Sequence, residues 1–145
     1  MITVLTSTYN RASLLINLYQ SLIKQDFDDF EWVIVDDGST DTTTDIVDKF
    51  IQERKIVITY IQQLNGGKHK ALNTGVKEAK GELVLIVDSD DSLPNESLSI
   101  IYNHYVDIKD NPSIGGVCGL MAHHDGTIIG ERKISSSMNL GSIEM

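Results

Sequence analysis

Short apolar runs alternate with segments of helical spacing along most of this 145-residue chain, and that alternation restricts the fold more than any other feature. Ile2 to Ser7 reads as a strand. Asn10 is placed to cap a helix running to about Gln25, with Leu14, Leu15, Leu18, Leu22 and Ile23 along one face. Phe30 to Val35 is a second strand, and Asp41 or a neighbouring Thr caps a helix whose apolar face is Ile46, Val47, Phe50 and Ile51. Ile56 to Ile61 is a third strand. After a turn at Asn65-Gly66-Gly67, a helix from about Lys68 to Ala79 buries Ala71, Leu72, Val76 and Ala79. Leu83 to Val87 is a continuous apolar run of the kind that forms a central strand covered on both faces of a parallel sheet, although a buried helix segment has the same pattern. Pro94 suits the first turn of a helix reaching about Lys109, with Leu98, Ile101, Tyr102 and Tyr105 inward. Asn111-Pro112 is a turn, Gly115 to Ala122 a strand, and His123-His124-Asp125-Gly126 a hairpin turn into Thr127 to Gly130. This order predicts an α/β fold with a mostly parallel sheet, right-handed crossovers and helices on both faces.

Ligands in such sheets bind beyond the carboxyl ends of the strands. Three of those ends are polar here: Ser7-Thr8-Tyr9-Asn10, Asp36-Asp37-Gly38-Ser39 and Asp88-Ser89-Asp90-Asp91. If the chain stays extended past Val87, Asp88 and Asp90 point to one side and Asp91 to the other. Two carboxylates so close repel by roughly 1 kcal/mol in water and about 4 kcal/mol at an effective dielectric of 20. A divalent cation turns that repulsion into coordination, and hard oxygen ligands suit Mg²⁺ or Mn²⁺. The plainer reading is an acidic loop that caps the following helix. Asp36-Asp37-Gly38-Ser39 is likewise either a turn or a carboxylate that accepts hydrogen bonds from a nucleobase or ribose. A phospho-acceptor aspartate of the receiver type is disfavoured, because the first strand ends without a second acidic pair.

Composition narrows the partners. A net charge of −9 argues against broad nucleic-acid binding. It leaves room for a phosphorylated small molecule brought in by a metal or a local basic group. No apolar run approaches a membrane span, and Met1-Ile2-Thr3 lacks the basic region of a signal peptide. With one cysteine, Cys118, in an apolar stretch, the expectation is a buried thiol and a reducing, cytoplasmic setting.

Taken in order, Thr6-Ser7-Thr8-Tyr9-Asn10-Arg11, Val35-Asp36-Asp37-Gly38-Ser39-Thr40-Asp41, Asn65-Gly66-Gly67, Ala71-Leu72-Asn73-Thr74-Gly75 with Ala79-Lys80-Gly81-Glu82, and Asp88-Ser89-Asp90-Asp91 resemble the family 2 glycosyltransferases from about residue 2 to 95. The resemblance implies a GT-A fold, a three-layer α/β/α, Rossmann-like nucleotide-binding arrangement. It also implies a nucleotide-diphosphate sugar donor (a UDP-sugar first), a saccharide or lipid-linked acceptor, and Mn²⁺ or Mg²⁺ as cofactor. The usual outcome is inversion at the sugar carbon, in enzymes of cell-surface polysaccharide synthesis that often work at a membrane face.

By the same resemblance Ser7, Thr8 and Tyr9 border the nucleotide, Asp37 holds the base with Asp36 nearby, and Asp88 and Asp90 match the two acids of the DxD motif. Asp90 is the expected metal ligand and Asp88 reaches ribose or a metal-bound water, with Ser89 between them. Asp91 is able to share either role. Lys68 and His69, at a helix start after Gly66-Gly67, either help hold phosphate or form a solvated first turn. No catalytic base is expected in this chain. It belongs to a segment downstream of Met145, so the chain is expected to be one donor-binding domain of a longer enzyme, with little turnover alone. A sugar-1-phosphate nucleotidyltransferase and a non-catalytic nucleotide-sugar-binding module are the rival readings. The former wants a Gly-rich basic loop after the first strand, where only Arg11 stands.

Overall fold

The computed structural model of the protein describes residues 1–117, 119, 121–123, 125 and 127–129. The element order is β1 (Ile2–Thr8), α1 (Ala12–Leu22), β2 (Phe30–Asp36), α2 (Thr43–Glu53), β3 (Val57–Gln62), α3 (Lys68–Glu78), β4 (Leu83–Ile86) and α4 (Ser97–Ile108). The four strands form one sheet in the order β3-β2-β1-β4, and every pairing is parallel. The predicted α/β plan is therefore present. The strand order reverses after β3, where the chain crosses back through α3 to the other side of β1. That reversal creates the crevice at the carboxyl ends of β1, β2 and β4.

Two apolar layers hold helices to the sheet. On one face Tyr19 of α1 and Phe50 of α2 stack with ring centroids 4.0 Å apart, and Trp32 of β2 lies 6.3 Å from Tyr19 and 6.2 Å from Phe50. Trp32 is fully buried, and its indole N–H donates to Thr6 Oγ1 at 3.0 Å, so its one polar atom is satisfied. On the opposite face Leu5, Val33, Val35 and Ala71 form a cluster joined by Ile61, Leu72 and Val84. Burying side chains of this size contributes about 1.5 to 3 kcal/mol each.

The structure revises several local expectations. The run covered on both faces is β2, all of whose residues are buried, whereas β4 is an edge strand among the described residues and Ile86 is 52% exposed. In α3 the buried positions are Ala71 and Gly75, and Val76 is 51% exposed. The helix lies so close to the sheet that only a residue without a side chain fits at its line of contact. Asn10 does not cap α1. Its backbone is left-handed (φ 52°) and its Oδ1 accepts the Thr40 N–H at 2.8 Å and the Asp41 N–H at 3.3 Å, which ties the β1–α1 loop to the β2–α2 loop. Asp41 serves both helices: Oδ2 accepts the Ala12 N–H at 3.1 Å and Oδ1 the Thr43 N–H at 3.0 Å. Pro94 lies ahead of α4, its carbonyl accepting the Ser97 N–H.

The described residues divide into two compact units at Ser99/Ile100. In the second, the turn at Asn111-Pro112 is present: the Ser113 N–H donates to Asn111 Oδ1 and the Ile114 N–H to the Asn111 carbonyl. The predicted hairpin is recognisable in an antiparallel bridge between Ala122 and Ile128, with His123 N–H donating to the Thr127 carbonyl at 2.8 Å. Of the predicted strand Gly115 to Ala122, Gly115 to Val117 have no strand assignment and Ala122 makes the bridge, while residues 118 and 120 lie outside the described residues. Cys118, His124 and Gly126 lie outside the described residues, as does the chain from residue 130 on.

Candidate functional site

The ladder hydrogen bonds run one residue past the strands: Asp37 N–H to the Thr8 carbonyl at 2.9 Å, Gln63 N–H to the Asp36 carbonyl at 2.9 Å, and Val87 N–H to the Leu5 carbonyl at 3.0 Å. These bonds bring the polar strand ends level with one another around a cavity of ≈ 280 Å³. β1 and the loop after it contribute Ser7, Thr8, Tyr9 and Arg11; the residue after β2 is Asp37; α3 contributes Lys68 at its first turn; and the segment after β4 contributes Asp88, Ser89 and Asp90.

Asp37 is buried, and burial by itself raises a carboxyl pKa. Hydrogen bonds outweigh it: Gln63 Nε2 at 2.7 Å and Gly66 N–H at 2.9 Å reach Oδ1, and Gly67 N–H reaches Oδ2 at 2.7 Å. With the Lys70 charge nearby they hold Asp37 below the usual carboxylate range. The carboxylate thereby anchors the Asn65-Gly66-Gly67 turn, where Gly67 takes φ +93°, and sets the start of α3 at the cavity rim.

The acidic segment turns rather than extends, since the Asp91 N–H donates to the Asp88 carbonyl at 3.1 Å. Asp88 and Asp90 still share the cavity, now because the turn folds them toward it. Each is matched by a cation. Lys68 Nζ sits 2.7 Å and 2.8 Å from the two oxygens of Asp88, and Arg11 Nη1 sits 3.1 Å from Asp90 Oδ2 and 3.4 Å from Ser89 Oγ. Asp91 stands outside the cavity wall. Burial first, then the Asp90 and Asp88 charges, push its carboxyl up, with Lys68 opposing.

Two other residues singled out from the sequence are not in the wall. Asp36 is fully buried and committed to the fold: Oδ1 accepts the Ser39 N–H at 2.8 Å and Oδ2 the Tyr60 hydroxyl at 2.6 Å, which together with burial pushes that phenol up to about 12. It faces away because adjacent residues of a strand point to opposite sides. His69 is exposed on the first turn of α3, one residue past the lysine that enters the cavity. Arg11, conversely, had no site role in the sequence reading. A cation two residues past Tyr9 in a polar strand end was the available signal.

One polar atom of a wall residue lacks a partner. Thr8 is only 3% exposed, and its Oγ1 is, among the described residues, the buried side-chain oxygen or nitrogen without a hydrogen bond. An unsatisfied buried hydroxyl costs about 1 to 3 kcal/mol, and because Thr8 pairs in register with Asp36 this one lies on the Asp36 side of the sheet, closed to solvent.

For a divalent cation the described residues offer Asp88 and Asp90 and no cluster of three or more His, Cys, Asp or Glu able to enclose an ion by themselves. That fits Mg²⁺ or Mn²⁺ shared with a phosphorylated ligand, which is bound through one or two carboxylates plus phosphate oxygens and water.

The parallel sheet of four strands among the described residues, with its switch-point cavity, is the GT-A arrangement shared with the solved glycosyltransferases on which the chain superimposes. The chain belongs to glycosyl transferase family 2, whose model matches residues 3–126. It is 39% identical over 112 residues to the poly(ribitol-phosphate) β-N-acetylglucosaminyltransferase TarS of Staphylococcus aureus, a match covering 73% of this chain and 20% of TarS. The structure of S. aureus TarS 1–349 in complex with UDP-GlcNAc superimposes with a TM-score of 0.70 at 39% identity, over 74% of this chain and 32% of that one. The mannosyltransferase PcManGT from Pyrobaculum calidifontis, in complex with GDP-Man and Mn²⁺, superimposes with a TM-score of 0.68 at 31% identity, over 79% and 33%. The chain thus spans about a fifth of the length of its TarS relative. No helix among the described residues is long and apolar enough to cross a membrane.

Proposed function

We propose that this chain forms the donor-binding part of a metal-dependent glycosyltransferase that moves a sugar, with inversion, from a nucleotide-diphosphate sugar to a hydroxyl of a saccharide or lipid-linked acceptor. The observation that carries the reading is the convergence of Thr8, Asp37, Lys68, Asp88 and Asp90, drawn from three strand ends and a helix start, on one cavity. UDP is the favoured carrier, because the TarS relative was solved with UDP-GlcNAc.

In this reading Ser7, Thr8 and Tyr9 border the nucleoside, with backbone groups as the contacts. Asp37 sets the wall on which the base rests. Asp88 and Asp90 hold Mn²⁺ or Mg²⁺ against the diphosphate, and Lys68 lies where phosphate charge arrives. The cation, when bound, stabilises negative charge on the departing diphosphate. The base that deprotonates the acceptor is assigned to residues outside this chain.

The test is a calorimetric titration with UDP, GDP and dTDP, each with and without Mn²⁺, on this chain and on Asp90→Ala. Metal-dependent binding of one nucleotide, lost in the variant, supports the reading. Binding indifferent to metal and to Asp90 removes the metal role, and no binding by a folded sample removes the donor site.

A further inference from the structure

Asp88 and Asp90, the two cavity acids of the segment after β4, are each paired with a cation from elsewhere in the chain, and the two cations differ in what they can do next. Lys68 places its ammonium on Asp88, near both oxygens. Arg11 reaches across from the loop after β1 and touches Asp90 through Nη1, which also contacts Ser89. A guanidinium carries five N–H donors in a planar fork, and both of these contacts use one nitrogen, so the group retains donors to offer a second anion. The pair is half in solvent, Arg11 at 46% and Asp90 at 48% exposure. A pair so exposed holds weakly and exchanges partners readily.

We propose that Arg11 is the resident counter-cation of Asp90, displaced when a divalent metal takes that carboxylate and turned onto the diphosphate of the nucleotide. The proposal rests on the donor-site reading above. Its physical basis is charge matching. Without metal, Asp88 and Asp90 are already paired, and an incoming diphosphate meets cations that are engaged and carboxylates that repel it. A metal on Asp90 releases the guanidinium within the same cavity, where it is free to fork onto phosphate oxygens, a geometry that suits Arg better than Lys. Metal and nucleotide therefore load cooperatively, and each raises the affinity of the other by the same factor. Arg11 is a positioning residue for the donor in this scheme.

The experiment measures Mn²⁺ alone, UDP alone and UDP with Mn²⁺ by titration, on the parent chain, Arg11→Gln and Arg11→Lys, with thermal unfolding to verify that each is folded. The expected result for Arg11→Gln is Mn²⁺ binding about two- to fivefold tighter in the absence of nucleotide, the range an exposed ion pair is worth. UDP binding in the presence of Mn²⁺ becomes weaker, so the coupling factor falls. Arg11→Lys keeps the counter-charge and restores the parent Mn²⁺ affinity, while recovering UDP binding only in part. Opposite movement of the two affinities separates this role from a merely structural one, which weakens both. Mn²⁺ affinity no higher in Arg11→Gln than in the parent, including no measurable binding to either, overturns the proposal. Failure of UDP to bind the parent with Mn²⁺ present strikes at the donor reading instead, and the comparison with Mn²⁺ alone still decides whether Arg11 holds Asp90 against a metal.

Discussion

Asp37 Oδ2 accepts the Gly67 N–H at 2.7 Å, so the residue just past β2 determines where α3 begins. The same carboxylate takes the Gly66 N–H, and Gly67 is in a positive-φ conformation that side chains resist. Replacing Asp37 by Ala leaves two partly buried backbone donors without their acceptor, at about 1 to 3 kcal/mol. Urea denaturation of Asp37→Ala should show that loss, together with weaker UDP binding as Lys68 loses its placement. Unchanged stability would show that water replaces the carboxylate without cost.

The Asp37 and Asp41 carboxyls both lie below their usual value of 3.8 in the folded protein. Burial opposes this in each case, but Gln63, Gly66 and Gly67 around Asp37, and Thr43 and Ala12 around Asp41, prevail. A carboxylate with a lower pKa folded than unfolded contributes stability that is present above the unfolded value and lost as pH falls through the folded one. The urea midpoint should therefore drop below about pH 4, and Asp37→Asn should flatten that drop. A midpoint that holds steady down to about pH 2 would contradict these pairings.

Thr8 Oγ1 has no hydrogen-bond partner among the described residues, so the isosteric Thr8→Val removes no contact seen there. Thermal stability should be equal or slightly higher. UDP affinity should stay the same, since that oxygen is closed to solvent on the Asp36 side of the sheet. A weaker UDP affinity in the variant would place the hydroxyl in the nucleotide site.

Gly75 packs α3 against the sheet so closely that an added Cβ overlaps the Leu5 side chain and comes within 3.1 Å of Val35 Cγ2. Helix propensity favours Ala here by about 1 kcal/mol, and overpacking costs about 1 to 3 kcal/mol. Gly75→Ala should be a net loss in chemical denaturation, with Leu5→Val in the same chain restoring part of it. A more stable Gly75→Ala would show that the layer has room to spare.

Much of the fold was legible because it depends on local pattern. The strand runs at Ile2, Phe30 and Leu83 and the helical spacing through Leu15, Leu18 and Leu22 follow from the periodicity of burial. The turn at Asn65-Gly66-Gly67 follows from backbone freedom. The Asp41 cap was an equally local matter. The ordered polar strand ends carried the family resemblance, since parallel strands deliver their carboxyl ends to one side of the sheet.

What the sequence determined by itself is thus the alternation of elements, the polarity of their ends and the family to which they point. Tertiary structure alone decided the strand order, which among the described residues puts β2 in the middle and β4 at the edge, with Ile86 exposed. It decided that Gly75 and not Val76 meets the sheet, that Asn10 joins two loops instead of capping a helix, and that Asp36 turns into the fold while Asp37 faces the cavity. It also brought Arg11 to Asp90 and Lys68 to Asp88. The reason is physical: periodicity reports which side of an element is buried, but the partner of a charged side chain is chosen by the register of a sheet whose strands are far apart in the chain.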